Sequence, residues 1–235
     1  MFIRSVIDEI FRITVKRFII ALFLLLLTGD AIFLVLHVVR YFNPETLSHA
    51  FNLSRDGSYP EIFQYGKELA CALLCVYVGF GRFRWMIHGW APLFLFLFLD
   101  DALRIHEEVG ILTRGFFESF PTLIRAQDVG ELLASAAMAL ILFPIILFSV
   151  VSAERSRRWM HLTLVALVGA VAFFGIFVDL LHTFVGQFIQ KSRPVFGFLE
   201  DGGEMIAMTL VTVFVASVAV DSATRNGGTE TNYKR

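Results

Sequence analysis

Long apolar runs separated by short charged segments set the pattern of this chain, and their length suits helices rather than strands. Runs near residues 17–40, 65–83, 84–103, 129–151, 160–183 and 202–220 each approach the roughly 20 residues that cross about 30 Å of hydrocarbon as a helix. The expected fold is all-α: a polytopic, multi-pass membrane protein with a six-helix transmembrane bundle over residues 17–223. Ahead of it, Phe2, Ile3, Val6, Ile7, Ile10 and Phe11 recur at helical spacing, which predicts an interfacial amphipathic helix over 1–16. Behind it, residues 224–235 are polar and predict a disordered cytoplasmic tail. Between the third and fourth spans, "ILTRGFFESFPTLIRA" is amphipathic and predicts a short helix along the surface.

Composition agrees with that pattern. Of 235 residues, 57% are hydrophobic, above the roughly 45–50% of soluble domains. The first apolar segment, Phe18 to Val39, is too long for the core of a cleaved signal and is expected to remain as a span. A net charge of −1 offers no footprint for nucleic acid. The expected surroundings are a lipid bilayer, with a lipid or another membrane-dissolved molecule as substrate. Cys71 and Cys75 lie one turn apart in an apolar helix, where a disulfide does not fit, and read as small packing residues.

Charge orients the spans. With a cytoplasmic N-terminus, the inner segments hold 12 of the 20 Lys and Arg. Clusters at Lys16 and Arg17, at Arg82 and Arg84, and at Arg155, Arg157 and Arg158 then all face inward, with Trp85, Trp90 and Trp159 beside them. Both termini are expected in the cytoplasm, in a plasma (inner) membrane. On this topology 15 of the 21 acids fall on the outer side, and Asp30 sits near mid-membrane.

Those outer acids recur in a pattern. Span three ends "DDALRIHEEVG" and span five ends "VDLLHTFVG", both with an Asp, then a His, then H-x-x-V-G; the returning spans open "DVGEL" and "DGGEM". A tandem helical-hairpin repeat is the expectation, with Asp30, His37 and Glu68 as a looser first copy. Depth sharpens the point. Span three has only the apolar residues from Met86 to Leu99 before Asp100 and Asp101, so a full crossing must carry both acids inside. Glu68, Glu131, Asp179 and Glu204 fall in the same layer, where an ionised carboxylate is costly unless it faces the interior and finds a partner.

Two explanations compete for these residues. Asp128 with Glu131, and Asp201 with Glu204, have the spacing of capping boxes at helix N-termini. Against pure capping, Asp179 and His182 share one helix face at i, i+3, the geometry of carboxylate–imidazole metal pairs in helical bundles. The ligand set expected on this reading is Glu68, Asp101, His106, Glu131, Asp179, His182 and Glu204, holding a divalent metal: Zn, Fe or Mn. In a continuous helix Asp100, Arg104 and Glu107 form an ion-pair face and His106 points elsewhere, so His106 joins Asp101 only if the helix breaks near Arg104. His88 and His161 near the inner boundary suggest haem ligation as a minor alternative. Ser135 offers only an isolated candidate nucleophile.

The expected activity is metal-dependent hydrolysis or di-metal oxidation of a lipid or membrane-dissolved substrate. A cation- or proton-coupled transporter using Asp30 is the alternative, and a non-catalytic membrane subunit is a third reading. The topology is checked with single cysteines: those placed at Ser58 and Ser192 should react with an impermeant thiol reagent in intact cells. One at Ser156 should not, and its labelling overturns the orientation.

Overall fold

The computed structural model describes residues 2–81, 83–119, 125–189 and 193–230, with the side chains of 2–12, 87, 187, 193–194 and 225–230 left outside that set. The described residues are helical with no strands. In chain order they form α1 (Phe2–Phe42), α2 (Tyr59–Gly79), α3 (Ala91–Leu103), α4 (Ile105–Phe117), α5 (Ala126–Val151), α6 (Arg155–Ala172), α7 (Asp179–Phe188) and α8 (Arg193–Glu230). π-helical turns at Met86–Trp90 and Phe173–Val178 lead into α3 and α7.

Four helical stretches are long and apolar enough to cross a membrane: Ile13–Phe42, Ala126–Val151, Arg155–Gly186 and Val195–Thr224. Their outward faces carry residues such as Leu25, Leu140 and Phe148 at 70%, 77% and 72% exposure, a surface that suits hydrocarbon and not water. The other two expected spans, 65–83 and 84–103, do not reach that standard. α2 carries Glu61, Lys67 and Glu68, and the run into α3 is α-helical only over Ala91–Leu103. Both elements contribute to the interior. Cys71, Cys75 and Val78 from α2, with Trp90 and Phe94 at and beyond the π turn, pack on Met208, Val211 and Val215 of α8 and Leu164 of α6.

Helix limits account for several further differences. α1 runs unbroken from Phe2, and the side chains that predicted an interfacial helix over 1–16 lie outside the described residues. The α8 backbone continues to Glu230, through the first part of the segment read as a tail. α4 does not lie alone on the surface. It packs antiparallel on α5 where Gly110 meets Gly130: a Cβ on Gly110 would stand 2.6 Å from Glu131 Cγ, and one on Gly130 would strike Thr113 and Gly110. The tandem repeat is not reproduced either. After "DDAL" the chain breaks at Arg104, whereas "VDLLHTFVG" runs helically from Asp179 through Gly186. Ser58 is buried just ahead of α2, so the exposed Glu45 in the same connection is a better position for thiol labelling.

The deepest polar contact joins α1, α2 and α8. Lys67 and Asp30, 2% and 0% exposed, pair at 3.0 Å. Lys67 Nζ also donates to the Met205 carbonyl at 2.8 Å and to Thr209 Oγ1 at 3.4 Å, while Thr209 donates to Asp30 Oδ2 at 2.6 Å. Removing one member of such a pair strands the other charge in a medium that cannot solvate it. Lys67→Met should therefore lower unfolding stability in detergent by about 3–5 kcal/mol, and adding Asp30→Leu should recover most of the loss. A double variant no more stable than Lys67→Met would show that the pair is not coupled.

Candidate metal centre

The acid stretch that ends the third run, "DDALRIHEEVG", is organised by one backbone break. Arg104 adopts φ 55°, ψ 42°, the left-handed region that costs a non-glycine residue about 1–2 kcal/mol. The turn ends α3, and α4 starts in a new direction. Asp100 caps the new helix, its Oδ1 accepting the His106 backbone N–H at 2.9 Å. The His106 ring swings back to place Nδ1 3.1 Å from Asp100 Oδ2. Arg104 itself bridges outward to Asp56 at 2.8 Å and to Glu107. His106 lies beyond the long apolar helices, and the Asp100 carboxylate beside it pushes its imidazole up to about 9, against the opposing pull of burial.

Three groups of ligand-type side chains result, each offering atoms that all lie within 4.8 Å of one another. Glu68 of α2, Asp101 of α3 and Glu204 of α8 form the first, Asp100, Asp101 and His106 the second, and Asp179, His182 and Glu200 the third. Glu68 is 1% exposed, and its Oε2 has no hydrogen-bond partner among the described residues. Gln64 Nε2 reaches Glu204 Oε1 at 3.5 Å, and Gly175 in the second π turn lies so close that a Cβ there would stand 2.9 Å from Glu204 Oε2. In the third group His182 Nδ1 lies 2.9 Å from Glu200 Oε2, and the ring stacks on Phe196 with centroids 6.2 Å apart.

Six of the seven expected ligands fall in these groups, though not as one cluster. Glu204, expected beside Asp179 and His182, joins Glu68 and Asp101 instead, and Glu200 takes the place beside His182. Glu131 belongs to none of the three; its Oε1 accepts from Gln127 Nε2 at 2.8 Å. The capping boxes do not form. α5 begins at Ala126, and Asp128 is gripped by the Arg125 guanidinium with Nε 3.0 Å from Oδ2. α8 begins at Arg193, which leaves Asp201 and Glu204 inside the helix, where Asp201 accepts from Ser54 Oγ at 2.5 Å.

The minor alternatives lose ground on geometry. His161 is fully buried against Trp85 and accepts from Trp90 Nε1 at 3.2 Å, while His88 is exposed. Ser135 Oγ donates to the Glu131 carbonyl at 3.1 Å. Two participants escaped sequence reasoning. Asp100 read as part of an ion-pair ladder, and Glu200 sat unremarked one residue before "DGGEM", although four-residue spacing from Glu204 places the two on one helix face.

The break at Arg104 is directly testable. Arg104→Gly relieves the left-handed cost and loses only exposed ion pairs worth about 0–1 kcal/mol, so its thermal midpoint should be unchanged or higher. Arg104→Pro cannot adopt positive φ and should cost more than about 1 kcal/mol. Equal stability for the two variants would mean that the turn is not held in this conformation.

A family model described as a domain of unknown function (DUF8692) matches residues 18–219. No curated protein and no solved structure matches the chain. The matched span contains every residue of the three groups, and on the strength of that match the chain belongs to the DUF8692 family.

Proposed function

We propose that this protein is a membrane-embedded, metal-dependent enzyme that hydrolyses a lipid or another membrane-dissolved substrate. The observation that carries the reading is the first group: three carboxylates from three different helices converge inside an apolar bundle, one with a buried oxygen lacking any hydrogen-bond partner among the described residues. Buried carboxylates persist when they are protonated, paired or bound to a cation. The nearest buried cation, Lys67, is already committed to Asp30. Carboxylate-rich sites with an imidazole at hand suit Zn, Fe or Mn. A divalent ion held there would supply a Lewis acid and an activated water.

The protein's own residues define the rest of the site. Glu68, Asp101 and Glu204 bind, Gln64 orients Glu204, and Gly175 leaves room for it. An apolar cleft of about 660 Å³ between α1 and α2, with Leu22, Leu26, Phe33 and Phe63 in its walls, lies on the Lys67 side of α2. Its size is in the range of small-molecule sites, about 300–1,000 Å³, and its lining suits a hydrocarbon chain. The inward clusters of Lys and Arg support six crossings, both termini in the cytoplasm and the site toward the outer leaflet. Transport driven by Asp30 is the weaker reading, because both Asp30 oxygens are engaged by Lys67 and Thr209.

Gently purified protein should contain roughly stoichiometric Zn, Fe or Mn by elemental analysis. Glu68→Gln and Glu204→Gln should each lose metal while remaining folded, and Asp128→Asn should retain it. A protein that holds no divalent ion, and gains no thermal stability from added Zn, Fe(II) or Mn(II), overturns the proposal.

A further inference from the structure

We infer that Asp101 bridges two divalent ions, making the outer acid site a dinuclear centre; this rests on the metal-dependent reading above. Asp101 belongs to two of the three groups at once: with Glu68 and Glu204 in one, and with Asp100 and His106 in the other. A carboxylate has two oxygens and can serve a different ion with each. Two-metal sites hold their ions about 3.5–4 Å apart, a separation one bridging carboxylate spans.

Charge balance points the same way. Glu68, Asp100, Asp101 and Glu204 bring four negative charges when ionised, the charge of two divalent ions. A single ion would still leave negative charge unmet even with His106 as an imidazolium beside Asp100, in a site where Asp100 and Glu68 are buried. Arg104 does not offset that excess, since it turns outward to Asp56 and Glu107.

The second half of the site has its own signature. His106 Nδ1 is 3.1 Å from Asp100 Oδ2. Two ligand atoms at right angles on one ion, each with a bond of about 2.1 Å, stand about 3 Å apart. The spacing between the His106 and Asp100 atoms therefore fits shared coordination. The break at Arg104 makes it feasible, because five residues of unbroken helix would rotate His106 about 140° from Asp101. On this assignment the first ion is held by Glu68, Asp101 and Glu204, and the second by Asp100, Asp101 and His106. Asp179, His182 and Glu200 stand apart as a separate group.

The test is electron paramagnetic resonance of the full chain in detergent, stripped of metal and titrated with Mn(II). Two Mn(II) ions bridged by a carboxylate give an exchange-coupled spectrum, distinct from the six-line signal of isolated Mn(II). The coupled spectrum should grow in as loading passes from one to two ions per site. It should be lost in His106→Ala and Asp101→Asn and retained in His182→Ala. In His106→Ala the isolated signal should persist, since the first group is intact. Isolated signals alone at every loading, or a coupled spectrum that survives His106→Ala, overturns the bridged pair while leaving a metal site in place. Absence of any Mn(II), Zn or Fe(II) binding would instead sink the metal-dependent reading on which the inference rests.

Discussion

Lys67 is the constraint on which the other interior contacts depend. An ammonium inside an apolar bundle is tolerable only with its charge met and its donors satisfied, and here three acceptors do this. They come from different places: Asp30 is on α1, and Met205 and Thr209 are on α8. The pair therefore sets the rotation of α2 between its two neighbours. Successive residues on a helix point about 100° apart, so with Lys67 fixed toward Asp30 and α8, Glu68 is turned toward α3 and Asp101. One residue of α2 closes the core and the next opens the acid site.

That arrangement explains why acids and apolar residues share the same helices without a loss of order. Carboxylates scattered along lipid-facing surfaces would each be costly. Drawn inward from α2, α3, α7 and α8, they meet one another, and their mutual repulsion becomes a demand for positive charge. The protein meets part of it with Arg125 on Asp128 and Arg104 on Asp56 and Glu107, at the edges. It leaves Glu68, Asp101 and Glu204 without an arginine or lysine of their own among the described ion pairs. The edge acids thus carry arginine partners of their own, and the interior set does not.

Backbone departures from regular helix fall where they shape that site. The left-handed turn at Arg104 redirects the chain so that residues on either side of it face each other. The π turn at Phe173–Val178 brings the Gly175 backbone against Glu204, and a second π turn lies at the start of the run into α3. Local strain of this kind persists where surrounding contacts over-determine it. At Arg104 those contacts are the Asp100 cap on His106 and the close packing of α4 on α5.

By itself the sequence determined the helical class, the apolar character of the four long helices, and where acids and histidines interrupt the apolar runs, because hydropathy and composition are local quantities. It also stated the condition under which His106 could approach Asp101, a helix break near Arg104. Whether the break occurs was not legible, since no glycine or proline marks it, and a left-handed arginine is chosen by tertiary contacts. Helix limits were misplaced at α5 and α8 because each helix starts several residues before its hydropathy run, which moved Asp128, Asp201 and Glu204 out of capping positions. The division of the acids into three groups, the exchange of Glu200 for Glu204 beside His182, and the pairing of Lys67 with Asp30 depend on how separate helices are rotated against one another. Rotation is set by packing between segments far apart in the chain, such as Asp30 with Thr209, and no local pattern encodes it.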